Sequence, residues 1–433
     1  MSFKNRAQVI AACWLVCLLI CLILIGTGVL IGFNIWKIKP LTSLARIIVS
    51  IVMIAAGIGL GYLSTLKFFW MMITWLAKNE RFRNGKSGKG PKITVIGGGT
   101  GLGTILRGLK EITPNLTAIV TVADDGGSSG RLRREFGILP PGDIRNCLVA
   151  MADIEPLMES LFQYRFTGSS DLSGHNFGNL FIAAMTDITG DFEEAIKESS
   201  KVLAVRGQVL PATLENVVLK AELEDGRIVT GESEIPKSRV PIKRVFLEPV
   251  DCKPVADAIA AIKEAEIIIL GPGSLYTSVI PNLLVKEIAE AIRKSNAIKV
   301  YVCNAMTEAG ETDDYSASQH LKAIIDHAGR GLVDYALVNN ETIKQEILER
   351  YSEERAKPVR IDLEKISGLG VKPLVAQVIT KTNLIRHDGL KLAQIILGIY
   401  RSQRIEHAFG KSLTRQLFRF LKSFAIFGIG KLH

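Results

Sequence analysis

No cysteine in this sequence stands in a CxxC pair, and none clusters with a histidine; six of each occur in 433 residues. A zinc site and a disulfide framework are thereby excluded. Cys13, Cys17 and Cys21 fall within an apolar run, and Cys147, Cys252 and Cys303 are scattered, as suits a reducing compartment. Aromatic residues make up only 7%, and no basic stretch interleaves with them outside the extreme C-terminus. That argues against a nucleic-acid surface. No serine–histidine–acid order and no metal-binding histidine pair stands out; His320 and His327, on one predicted helix, read as structural.

Acidic residues are in deficit. The formal net charge is +10, so an anionic lipid or a phosphorylated ligand is the expected partner, with nucleic acid set aside. The chain is also short of charge at its N-terminus. Residues 9–36 and 47–66 are uncharged, apolar and of bilayer length, which predicts a transmembrane hairpin over 1–80. Gly57, Gly59 and Gly61 suit close helix approach or are simply common in such helices. Basic residues are most numerous after the second run, from Lys67 to Lys92, so the main domain is expected in the cytoplasm. Residues 81–91, rich in glycine and basic side chains, read as a linker.

The chain is organised around residues 92–145. A β-branched strand is followed at once by Gly97, Gly98, Gly99, Thr100, Gly101, Leu102 and Gly103, and then by helical spacing. Neither standard fingerprint fits: the sixth position of GxGxxG is Leu102, and no lysine follows Gly103. What remains is a strand–loop–helix turn whose backbone N–H groups face a phosphate. A second strand, 116–122, runs into Asp124 and Asp125. Adjacent carboxylates there either hold Mg²⁺ on a diphosphate, accept a sugar hydroxyl, or cap a turn at Gly126. Ser128, Ser129, Arg131 and Arg133 supply donors to a phosphate, and Asp143, Arg145 and Asn146 open a helix after Gly142. His175, with Asn176 and Asn179, is the one histidine set among glycines and amides; it is a proton donor, a ligand contact or a loop histidine with a structural partner. Gly271, Gly273 and Ser274 repeat the glycine bend after strand 267–270, and Asn304 ends strand 299–303. Two half-sites at one edge suit a nucleotide diphosphate sugar.

Alternating strands and helices from 92 predict an α/β fold, a doubly wound Rossmann-like parallel sheet over 92–400, preceded by two transmembrane helices. Residues 207–250 read as a small β insertion with a hairpin turn at Glu224, Asp225 and Gly226. A helix is expected over 283–293 and another over 390–400. Residues 401–433, basic and phenylalanine-rich, form an amphipathic tail expected to lie on anionic membrane lipid or to pack on the domain.

With these motifs assembled, the chain resembles the gluconeogenesis-factor branch of the 2-phospho-L-lactate transferase superfamily. The segments carrying the resemblance are IGGGTGLGTILRGLK, AIVTVADDGGSSGRLR, GILPPGDIRNCLVAMAD, LFQYRF, GHNFGNL, GPGSLYTSVIPNLLV and VYVCNAMTEAGETDDYSASQHL, in order over 92–340. The resemblance implies a bacterial regulatory factor that binds UDP-sugars such as UDP-N-acetylglucosamine and maintains cell shape and the cell wall during gluconeogenic growth. Cell-wall synthesis proteins and a second copy of the chain are the partners it leaves open. The transferase relatives use Mg²⁺ to move a phospholactyl group from a nucleotide diphosphate donor to a deazaflavin. Transferred by position, their phosphate contacts fall on Gly98, Gly99, Thr100, Gly101 and the 271–274 loop, and the metal-associated acid on Asp124 or Asp125. Gly126 to Gly130 departs from the transferase pattern, so a binding regulator is expected and a transferase-type enzyme is the alternative.

Overall fold

The computed structural model describes residues 3–33, 42–84, 90–153, 156–169, 171–353, 355–380 and 385–409. These divide into an N-terminal helical unit up to Lys86 and a larger unit from Ser87. The N-terminal unit is a helix pair, Phe3–Gly32 and Ser43–Asn84. They pack through small residues: Ser50 Oγ donates to the Gly28 carbonyl at 2.7 Å, and Gly57 lies against the Cys21 carbonyl. Among the described residues, Ser43–Thr65 alone is long and apolar enough to cross a membrane; the apolar stretch Cys17–Ile31 is shorter than a span. The expectation of two spans therefore reduces to one candidate. Part of the expected linker, 85–89, and the tail from 410 onward lie outside the described residues.

The larger unit is built on a seven-stranded sheet whose strand pairs are all parallel. In chain order its strands are β1 (Ile93–Gly97), β2 (Leu116–Val120), β3 (Gln208–Pro211), β7 (Ile267–Leu270), β8 (Ile298–Val302), β9 (Tyr335–Asn339) and β10 (Lys372–Ala376). Between β3 and β7 come β4 (Val218–Leu223), β5 (Ile228–Thr230) and β6 (Ile242–Glu248), a separate antiparallel sheet in the order β5-β4-β6. β1, β7 and β8 are buried along their whole length because helices cover both faces, and this explains why only Thr94 and Lys299 interrupt their apolar runs. The β insertion is present but starts later than expected: Gln208–Pro211 pairs with β2 and is the last strand of the main sheet.

Two helix boundaries also differ from expectation. Val285 adopts an extended conformation and splits the segment into helices Ile280–Leu284 and Lys286–Lys294. The final helix does not stop near 400 but continues unbroken as Gly389–Phe409, so the proposed tail begins inside it.

That final helix meets the helix Gly99–Leu109 where Gly108 faces Gly389, and a Cβ on Gly108 would lie 2.0 Å from the Gly389 carbonyl oxygen. Gly108→Ala gains up to about 1 kcal/mol of helix propensity but forces two backbones apart, at a cost of about 1–3 kcal/mol. A lower melting temperature is the expected outcome, read by thermal denaturation of the full chain.

Candidate functional site

The strand order is β10-β9-β8-β7-β1-β2-β3, so the chain moves one way from β1 and, after the insertion, the other way from β7. β1 and β7 therefore flank the switch point, where open α/β sheets bind ligands beyond the strands' C-terminal ends. Both glycine bends leave from there. Gly99, at φ +65°, takes the left-handed turn that launches the helix Gly99–Leu109. The bends touch: a Cβ on Gly101 would lie 2.8 Å from the Pro272 carbonyl oxygen, and one on Gly273 would lie 3.0 Å from that of Gly98. They open on a cavity of about 710 Å³.

Of the expected site residues, Gly99, Thr100, Gly101, Asn146, Gly273, Ser274 and Asn304 line this cavity. Asn304 joins its parts, accepting from Gly273 N at 3.4 Å and donating to Glu308 at 3.1 Å. The wall also contains residues that sequence reasoning missed: Arg107, Gln163, Thr307, Tyr351, Arg386 and His387. Arg107 also pairs with Glu159 across 3.0 Å. The helix start and two guanidiniums make this wall attractive to a diphosphate.

Carboxylates gather beneath the bends. Asp143 is buried under Gly98 and accepts from the Gly99 amide. Burial, reinforced by the charge of Asp124, pushes Asp143 up to about 6. Burial also raises Asp124, although Gly126 N donates to it at 2.9 Å and Ser129 bonds to it. Asp125 turns elsewhere. Its Oδ1 accepts from Ser233 N at 2.9 Å and its Oδ2 presses on Gly231, so it clamps the β insertion to the core. The clamped bend carries Glu232, whose carboxyl is driven upward by burial and then by Asp124 and Asp143. On the β7 side, Glu311 accepts from Tyr276 N and Thr277 Oγ1 at 3.2 and 2.9 Å, and burial raises it and its neighbour Glu308.

The remaining expected residues form a hydrogen-bonded layer that joins three helix starts rather than lining the cavity. Ser128 Oγ meets His175 Nδ1 at 3.2 Å and accepts from Asn176 N. Ser129 Oγ accepts from Gly142 N and Asn179 Nδ2. Arg145 donates to Asn179 and to Asn146, and thus ties this layer to the cavity wall. Arg131 is used locally, donating to the Ser173 and Asp171 carbonyls. Gly271, at φ +73°, shapes the turn after β7.

Mg²⁺ is ordinarily held by one or two carboxylates, with water and phosphate completing its shell. Asp124 and Asp143 fit that donor set, since Asp124 Oδ2 lies over Gly142 and the charge of Asp124 raises the buried Asp143. Asp125 does not fit, because both its oxygens are engaged by the insertion. Among the described residues no three acidic, histidine or cysteine side chains form a metal cluster.

Comparison with known proteins bears on the family and the fold. The sequence profile of the family 2-phospho-L-lactate transferase CofD matches residues 93–379. A gluconeogenesis factor from Halalkalibacterium halodurans is 55% identical over 310 residues, covering 71% of this chain and 96% of that protein. One from Bacillus subtilis is 54% identical over 315 residues, covering 72% of this chain and 99% of that protein. A crystal structure of a UPF0052-family protein from Bacillus halodurans superposes with a TM-score of 0.69 at 54% identity, over 71% of this chain and 99% of the other.

Proposed function

This chain belongs to the 2-phospho-L-lactate transferase CofD family, in its gluconeogenesis-factor branch, and on that premise we propose that it is a nucleotide-diphosphate-sugar binding regulatory factor. The observation that carries the reading is the contact of the two glycine bends at the switch point, both opening on one cavity. The amides cradle the diphosphate, Arg107 and Arg386 add charge, and UDP-N-acetylglucosamine is the ligand class that fits the family. The ligand acts by stabilising one loop arrangement, which a cell-wall partner then reads. In this proposal the helix Ser43–Thr65 tethers the factor to the membrane with its main domain in the cytoplasm, and the basic residues beyond 409 meet anionic lipid.

Calorimetry on the full chain in detergent tests this. Binding of UDP-N-acetylglucosamine without Mg²⁺ and without turnover is expected; no heat at any ligand concentration up to millimolar would overturn it. The paired acids Asp124 and Asp143 favour a second reading, a Mg²⁺-dependent transferase. Bound Mg²⁺ would supply charge neutralisation on a donor diphosphate, with these two side chains as its protein ligands. Metal-dependent release of a nucleoside monophosphate selects that reading instead.

A further inference from the structure

Asn282, in the short helix Ile280–Leu284 that follows the second bend, is completely buried. Its Nδ2 donates twice, to the Gly97 carbonyl at 3.1 Å and to the Ser278 carbonyl at 2.8 Å. Carbonyls only accept, so the end of the side chain that faces them is the NH₂ group. Oδ1 is buried with no partner among the described residues. An amide with one end unmatched returns little to folding; its other end joins segments that lie 185 residues apart. Gly97 ends β1 and opens the first bend. Ser278 is the wedge between the bends: a Cβ on Gly98 or on Gly273 would lie 3.4 Å from Ser278 Cβ, and one on Gly99 would lie 3.4 Å from its Oγ. Ser278 N in turn donates to the Ser274 carbonyl at 2.9 Å. One buried side chain thus grips the root of the first bend and the residue seated between both.

We propose that Asn282 is a positioning residue that sets the spacing of the two bends, and so fits the cavity to a ligand with two linked phosphates rather than one. The inference rests on the nucleotide-diphosphate reading above and adds the element that enforces it. Asn282 touches no ligand. It holds the Gly97 carbonyl and Ser278 at a fixed separation, so that amides from each bend meet successive phosphates of one molecule. A nucleoside monophosphate reaches one bend only, and its affinity does not depend on that spacing.

Calorimetric titration of the full chain with UDP and with UMP tests this, using wild type, Asn282→Thr and Asn282→Val. In a helix a threonine hydroxyl bonds to the carbonyl one turn back, as Thr186 does to Ile182 at 2.8 Å. Asn282→Thr therefore keeps the bond to Ser278 and loses only the one to Gly97, whereas Asn282→Val, close to it in shape, loses both. In either variant the Gly97 carbonyl still accepts from Thr121 N, at 3.1 Å in the wild type. Wild type is expected to bind UDP at least about tenfold more tightly than UMP, the effect of hydrogen bonds to one further charged group. Both variants should bring that ratio to within about threefold by losing UDP affinity, while the melting temperature falls further in Asn282→Val than in Asn282→Thr. A merely structural asparagine would instead weaken both nucleotides alike, in step with the melting temperatures, and leave the ratio intact. Asn282→Thr decides the matter even if Asn282→Val fails to fold. An unchanged UDP-to-UMP ratio in Asn282→Thr overturns the role of Asn282 and leaves the nucleotide reading standing. Equal binding of UDP and UMP by wild type, or binding of neither, overturns the diphosphate reading and this inference with it.

Discussion

Gly101→Ala should reduce the affinity for UDP-N-acetylglucosamine by about a hundredfold, roughly 3 kcal/mol. A methyl group there would sit 2.8 Å from the Pro272 carbonyl oxygen and 3.1 Å from the Gly273 Cα, both backbone atoms that no rotamer change can move. Relief requires the two bends to separate, and the cradle consists of their contact. The control lies two residues on. A Cβ on Gly103 would meet Ala150 and the Asn146 carbonyl at 3.6 Å, an ordinary distance, so Gly103→Ala should keep wild-type affinity and gain slightly in helix stability. Titration calorimetry on both variants checks the pair. Equal affinities would mean that contact between the bends is irrelevant to binding.

Asp143→Asn should stabilise the ligand-free protein at pH 7.5, by about 2 kcal/mol. The sign follows from its environment. In the fold Asp143 titrates near 6, above its ordinary 3.8, so between those values the folded chain holds a proton that the unfolded chain releases. Wild-type stability therefore falls as pH rises through that window, and the whole penalty is present above it. A two-unit shift corresponds to about 3 kcal/mol, and loss of a negative charge at a helix start takes part of it back. Asparagine still accepts from the Gly99 amide. Denaturation at pH 4 and 7.5 should show the variant gaining on wild type as pH rises; a gap that does not widen would mean that Asp143 bears no burial penalty. If Mg²⁺ settles between Asp124 and Asp143, it should raise wild-type stability at pH 7.5 and leave the Asn variant unmoved.

Local chemistry made half of this site legible. β7 is a continuous apolar run, β1 is interrupted only by Thr94, and their bends are dense in glycine, so strand and loop could be read from a dozen residues. Their adjacency was not readable, because it depends on where β2, β3 and β8 pair. The wall supplied by Tyr351, Arg386 and His387 was hidden for a related reason: it lies far along the chain, in a segment with no motif. β10 is a half-exposed edge strand that begins with a lysine and a proline, a weak strand signal that tertiary pairing with β9 overrides. Asp124 and Asp125 show the limit of spacing most clearly. Neighbouring side chains on extended backbone point to opposite sides, so one reaches the acid floor and the other holds the insertion. Glu232 had no local signal at all; it enters the site because Asp125 grips the bend around it.

Hydrogen–deuterium exchange across the full chain, with and without UDP-N-acetylglucosamine, tests the central claim most directly. If the amides of both bends hold one diphosphate, peptides spanning 97–103 and 271–275 should gain protection together, at the same ligand concentration. Protection confined to one bend, or found only elsewhere while the ligand is bound, would contradict it.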